Sequence, residues 1–352
     1  MLLQETLEKI RPLDRSLEAE VQKHLDQLTK PQGSLGRLEE LARQVSYIQG
    51  SVPPRLGRKV IYVFAADHGI VEEGVSAYPG EVTAQMTYNF LNNGAAINVL
   101  ARQFGAEIKI VDVGVNHDFP SVPGLYSLKI RKGTANFARG PAMTREEAVQ
   151  SVEAGIRLAE EAAGQEIFLL GAGDMGIGNT SSAAAVACAL TALPVRQVAG
   201  RGTGIDGGTW ERKVNAIERG LVLNLPNPKD PLDVLQKVGG LEIGAIAGLI
   251  LGAAANRIPF LLDGYICTAA ALLAYRFHPA IRDFVIASHA SAEAGHRFML
   301  EELGLSPLLD LNMRLGEGTG ACIAMGLVEA GVKIAREMAT FESAGVAQKQ
   351  RS

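Results

Sequence analysis

Aromatic side chains make up only 5% of the 352 residues, with a single tryptophan. The core of this chain must therefore be built mainly from Ala, Val, Leu and Ile. Cysteine is scarce too. Cys188, Cys267 and Cys322 lie in small apolar runs with no CxxC pair, which excludes a disulfide framework. Buried, reduced thiols are expected, and with them a cytoplasmic location. The first fifteen residues carry early acids and no apolar h-region, so no secretory signal is expected. The longest uninterrupted apolar stretch, residues 243–255, falls short of the roughly 20 residues that a bilayer span needs.

A marked excess of either charge is missing as well. Against 34 basic residues stand 38 acidic ones, a formal net charge of −4 with no Lys/Arg run. That balance argues against nucleic acid and anionic membrane as partners. The chain has no HExxH, no carboxylate cluster with ligand spacing and no G-x-S-x-G elbow, so neither a metal nor a serine nucleophile is expected.

What is abundant is glycine, 39 residues, well above the usual ~7%. In an aliphatic chain this points to tight turns and backbone brought close to a ligand. Strand-like runs at 60–65, 107–113, 166–170, 195–199, 259–263 and 284–288 alternate with helical patterns. These patterns cover 145–162, 180–192, 208–222, 241–255, 266–276, 291–303 and 319–339. Thr144 and Glu147 form a capping box, and Asp14 is placed to cap an N-terminal helix carrying Leu17, Val21, Leu25 and Leu28. The alternation predicts an α/β fold: a doubly wound, mostly parallel sheet with helices on both faces. Residues 1–55 and 316–352 are expected to form a small helical subdomain beside a Rossmann-like domain at 56–315, with a frayed tail from 343.

In such sheets ligands bind beyond the carboxyl ends of the strands. Nearly every turn after a strand here combines Gly with a polar or acidic group. Residues 171–176 match G-x-G-x-x-G, but no acid follows at the end of the next run, as a dinucleotide ribose requires. An NAD(P)-dependent oxidoreductase is thus disfavoured, and a non-catalytic nucleotide-binding regulator is the other alternative. The loop instead runs on through Gly176, Gly178, Asn179 and Thr180 into a helix, a seat for one phosphate. Gly202 and Gly204 form a second glycine turn to which Arg201 or Lys213 could add charge. Ser291 is expected to begin a helix, and Asp263 to end a strand as a ligand acceptor or turn cap. Glu317, flanked by glycines ahead of an apolar helix, suits a general base if burial raises its pKa. Asp174 lies inside the phosphate-type loop. His68 is expected to be a hydrogen-bonded structural residue.

Five segments carry a resemblance. Thr29-Lys-Pro-Gln-Gly-Ser-Leu-Gly-Arg-Leu-Glu39, Ala66-Asp-His-Gly69, Tyr78-Pro-Gly-Glu-Val-Thr-Ala-Gln-Met86, Met175-Gly-Ile-Gly-Asn-Thr180 and Arg314-Leu-Gly-Glu-Gly-Thr-Gly320 resemble one family, in order. It is the nicotinate-nucleotide–dimethylbenzimidazole phosphoribosyltransferase family. The resemblance implies phosphoribosyl transfer from nicotinate mononucleotide to 5,6-dimethylbenzimidazole by a homodimer, without metal or redox cofactor. It implies Glu317 as base and residues 176–180 as phosphate loop, with Gly202, Lys213 and Ser291 as further contacts. Gln85 falls in the segment lining the base pocket. Met175, Arg201, Gly204, Asp263 and Leu315 complete the expected substrate contacts. Asp174 is expected beside Glu317 as a catalytic residue, although it stands where the family usually has Glu, one methylene longer.

Overall fold

A computed structural model describes residues 1–347. Six strands form one parallel sheet: β1 (Arg58–Ala66), β2 (Glu107–Gly114), β3 (Leu125–Ser127), β4 (Ile167–Met175), β5 (Phe260–Leu262) and β6 (Val285–Ala287). Their spatial order is β3-β2-β1-β4-β5-β6, the doubly wound arrangement in which connections diverge on either side of β1 and β4. The central pair is buried on both faces, which explains its unbroken apolar sequence.

One face is covered by helices Arg145–Gly164, Leu241–Ala255 and Tyr265–Phe277, the other by Arg37–Gln49, Ala96–Phe104 and Thr319–Glu337. Glycines set how closely two helices of the first face approach each other. A Cβ at Gly155 would lie 1.8 Å from the Ala245 carbonyl oxygen, and one at Gly248 1.8 Å from that of Val152. Helices Arg145–Gly164 and Leu241–Ala255 therefore cross with their backbones nearly touching. The apolar run at 243–255 is buried here along its length, and no described helix is long and apolar enough to cross a membrane. Thr319–Glu337 packs on Arg37–Gln49 and also lies against β1, β4 and β5.

Several expectations need correction. Residues 195–199 are not a strand: after Pro194 they form the short helix Val195–Val198. Two β-branched ends in a run this short cannot distinguish the two states. β3 has three residues at the sheet edge and gave no signal. β4 extends to Met175, so Gly171 and Gly173 lie inside a strand rather than in a phosphate loop. Asp14 accepts from Ser16 N at 2.8 Å in the preceding turn, while helix Glu18–Gln27 starts without a side-chain cap. The Thr144–Glu147 capping box is formed as expected. Of the tail, Phe341 N donates to Gln27 O and Val346 N to Phe341 O, so it is tied down through 346; residues 348–352 lie outside the described ones.

Candidate active site

Beyond the carboxyl ends of β4, β5 and β6 opens a cleft of about 470 Å³. Nine of the residues singled out from sequence line it: Asp174, Met175, Gly176, Asn179, Thr180, Gly202, Ser291, Leu315 and Glu317. Tyr78, Val82 and Met86 supply an apolar wall near Leu315, and Tyr78 and Leu315 are half-exposed at its rim.

Glu317 occupies a costly conformation. Its φ is +62°, between Gly316 at +87° and Gly318 at +86°, a left-handed run that L side chains rarely enter. The reason lies in β4. Gly173 has no side chain, and a Cβ there would sit 2.2 Å from the Glu317 carbonyl carbon and oxygen. The strand thus lets the 316–318 turn settle onto it and bury the carboxylate. Oε2 accepts from Ile97 N at 3.3 Å, at the start of helix Ala96–Phe104. Burial pushes the Glu317 pKa up, Ile97 N–H pulls it back, and the neighbouring Asp263 charge adds to the rise.

Also lining the cleft, Asn179 and Thr180 open helix Asn179–Thr191 behind Gly178, whose φ is +94°. The amides of a helix start, with the helix dipole behind them, favour an anion. Lys213 stands behind this seat rather than in it. It is 1% exposed, with Nζ donating to Thr180 Oγ1 at 2.8 Å and to Gly200 O at 3.1 Å. Burial lowers its pKa to about 8, opposed by Glu293.

Asp174 is buried at the centre. Its Oδ2 accepts from Asn179 Nδ2 at 2.9 Å, and both its carboxylate oxygens lie against Gly316, so it bridges the 316–318 turn and the helix start. Desolvation first, then the negative field of Asp263 and Glu242, raises its pKa well above the usual carboxylate range, while Asn179 opposes the shift. The unfolded chain would ionise near pH 4 while the native one keeps this proton, so its contribution to stability falls as pH rises above that value. Asp174→Asn, which needs no ionisation, should therefore raise the melting temperature more at pH 8 than at pH 4, read by calorimetry at both. An equal shift at the two values would contradict a protonated Asp174.

Six expected residues lie outside the cleft lining. Asp263 accepts from Gly318 N at 3.2 Å and Ala321 N at 2.9 Å, so it holds the start of helix Thr319–Glu337 instead of a ligand or its own turn. Arg201 Nη1 donates to Ile205 O at 2.9 Å. Gly204, at φ +92°, faces the Arg314 guanidinium. Gly178 packs on Val71 and His68, and Lys213 is placed as described. Gln85 is exposed, rotated about 100° along its helix from Met86, which does line the cleft. Ser291 lines the cleft but begins no helix; the helix is His296–Leu303. Ser291 N donates to Nδ1 of His296, whose pKa burial drives to about 3, so a neutral ring fixes this loop.

Sequence reasoning missed Glu293, Arg314, Tyr265 and the lining role of His289. His289 and Glu293 flank Ser291 in one turn after β6, and that proximity was the available signal. A buried trio, Asp174, Asp263 and Cys267, brings its donor atoms within 4.8 Å of one another. Its carboxylates are engaged by Asn179, Gly318 and Ala321, and Cys267 Sγ donates to Ala172 O, so hydrogen bonding accounts for the cluster.

Fold and cleft together define a Rossmann-ordered α/β protein with a cleft beyond the carboxyl ends of its strands, lined by a buried carboxylate and a helix start. Comparison with known proteins narrows that class. A phosphoribosyltransferase family model matches residues 10–346. A nicotinate-nucleotide–dimethylbenzimidazole phosphoribosyltransferase of Geobacter sulfurreducens is 59% identical, covering 99% of each chain. One from Chloroflexus aggregans is 53% identical over 100% of this chain and 99% of its own. The crystal structure of the Thermus thermophilus enzyme of that name superposes with a TM-score of 0.90 at 49% identity, covering 96% of this chain and 100% of its own. The chain belongs to the nicotinate-nucleotide–dimethylbenzimidazole phosphoribosyltransferase family.

Proposed function

We propose that this chain transfers 5-phosphoribosyl from nicotinate mononucleotide to 5,6-dimethylbenzimidazole, releasing nicotinate and α-ribazole 5′-phosphate. One observation carries the mechanism: a buried carboxylate, Glu317, and an anion-favouring helix start, Asn179–Thr180, line the same cleft. The phosphate anchors at 176–180 with Gly202 and Ser291, which makes the attack effectively intramolecular. The base lies along Tyr78, Val82, Met86 and Leu315.

Benzimidazole attacks through its unprotonated ring nitrogen. As the new N–C1′ bond forms, the other nitrogen loses its proton to Glu317. The C1′–pyridinium bond breaks, its electron pair neutralises the pyridinium, and nicotinate leaves without a general acid. Attack from the opposite face inverts C1′ from β to α. Asp174 orients Asn179 through its hydrogen bond, and burial raises its pKa, which disfavours a second negative charge beside the phosphate. No metal or redox cofactor enters this scheme. A reductase reading finds no support, since Gly171 and Gly173 serve strand packing. Incubation with both substrates should yield nicotinate and α-ribazole phosphate. Failure to form either would overturn the reading, as would activity that needs a nicotinamide dinucleotide.

A homodimer is part of this proposal, supported by the family and by Val222, Leu223 and Leu225, which leave apolar side chains more than half exposed at one helix end. Sedimentation at micromolar concentration should give twice the 37.3 kDa chain mass, and a monomer would contradict it.

A further inference from the structure

His68 lines no part of the reaction cleft, yet the anion seat is built on it. It follows β1, and its ring is fully buried. Nε2 donates to Glu242 Oε1 at 2.7 Å in the first turn of helix Leu241–Ala255. Nδ1 lies 2.9 Å from Ser182 Oγ, in the first turn of helix Asn179–Thr191. The imidazole therefore ties the helix that begins with the seat to the helix that leads back into β5, the first and last long helices of the β4–β5 connection.

The turn ahead of that helix rests on the same residue. A Cβ at Gly176 would meet Ala66 O at 2.4 Å and His68 Nε2 at 3.2 Å. A Cβ at Gly178 would approach the His68 Cβ to 3.3 Å. Both glycines of the turn are thus seated on residues 66–68. From the opposite side, Ile177 N donates to Thr83 Oγ1 at 3.1 Å. The Ile177 amide is thus fixed by the Thr83 hydroxyl, while the Gly176 and Gly178 backbone packs on residues 66–68. An ordinary buried histidine would satisfy its nitrogens on backbone; this one commits both to side chains, one of them from the seat's own helix.

We propose that His68 is a positioning residue for the mononucleotide phosphate, acting through Ser182 and Glu242 to fix the 176–180 amides before substrate arrives. The proposal rests on the reading that this loop seats the phosphate. It also gives the Ala66–Gly69 segment a place in the reaction. His68 touches no reacting atom, so its loss should appear in phosphate binding and not in the chemistry at C1′.

Removing the imidazole would leave the Glu242 carboxylate, whose Oε2 already has no hydrogen-bond partner among the described residues, without any. His68→Ala is therefore a poor probe, because it can simply unfold. Ser182→Ala is the sharper one: it cuts the link to the seat and keeps the His68–Glu242 pair. Ser182→Thr, which keeps a hydroxyl at that position and leaves the His68–Glu242 pair intact, should retain part of that link. Asn224→Ala, which loses buried bonds to Phe137 O and Gly220 O away from the seat, controls for stability alone.

For Ser182→Ala, the KM for nicotinate mononucleotide and the inhibition constant of inorganic phosphate should rise together, by about five- to twentyfold. The KM for dimethylbenzimidazole and kcat should stay within about twofold. Ser182→Thr should fall between Ser182→Ala and the parent, and Asn224→Ala should lower the melting temperature while leaving both constants unchanged. A folded Ser182→Ala with unaltered phosphate inhibition overturns the clamp, even if the parent turns over as proposed. Conversely, if the parent forms no α-ribazole phosphate but binds inorganic phosphate by calorimetry and Ser182→Ala weakens that binding, the clamp stands and the transferase reading falls.

Discussion

Glu317→Gln is expected to lower kcat by about 10²- to 10⁴-fold while the KM for nicotinate mononucleotide stays near the parent value. The amide keeps the shape of the side chain, and its oxygen can still accept from Ile97 N, so the turn between Gly316 and Gly318 should survive. What it loses is the capacity to take the benzimidazole proton. The parent should also show a rising acid limb in kcat, because Glu317 must be ionised to act and burial holds its pKa above the ordinary carboxylate value. The variant should lack that limb. Single-turnover rates from about pH 5 to 8 check both points. A variant that turns over like the parent would remove Glu317 from the role of base.

The second large effect is expected at Gly178. Its φ of +94° suits glycine, and a Cβ would lie 2.8 Å from Val71 Cγ2. Gly178→Val therefore strains the turn from beneath. The sequence alone suggested a different reason, a side chain intruding between backbone and ligand; here the added carbons point at Val71 and His68. The expected outcome is a shifted Asn179–Thr180 start and a KM for the mononucleotide raised about 100-fold, as expected for roughly 1 Å of misplacement. The KM for benzimidazole should change much less. Initial-rate measurements with each substrate varied in turn decide it. An unchanged mononucleotide KM in a folded variant would take this loop out of the site.

Sequence periodicity located the central strands well, because β1, β2 and β4 carry apolar runs that are buried on both faces, β-branched in β1 and β2 and Phe/Leu-rich in β4. It failed where elements are short. Val195–Val198 offers the same residues to a strand or one helical turn, and β3 is specified only by its pairing with β2. Glycine-rich turns after strands marked the cleft correctly, since bringing backbone to a ligand leaves a local composition signal. Roles that depend on distant partners left none. Asp263 looked like a ligand acceptor because its two N–H donors, Gly318 and Ala321, lie more than fifty residues away. Lys213 looked like a phosphate contact, whereas Thr180 and Gly200 place it one layer behind. Gln85 was chosen from the right helix but the wrong face, a matter of helical phase that the flanking Val82 and Met86 could have resolved.

The account stands or falls on what happens to the two halves of the mononucleotide. Rapid-quench analysis of one turnover with the parent chain, nicotinate mononucleotide and 5,6-dimethylbenzimidazole reads this directly. Nicotinate and α-ribazole 5′-phosphate should appear together in equal amounts, with the α configuration at C1′ and with no nicotinate formed when the benzimidazole is left out. Release of nicotinate alone, or a β-configured product, would contradict a direct, base-assisted transfer across this cleft.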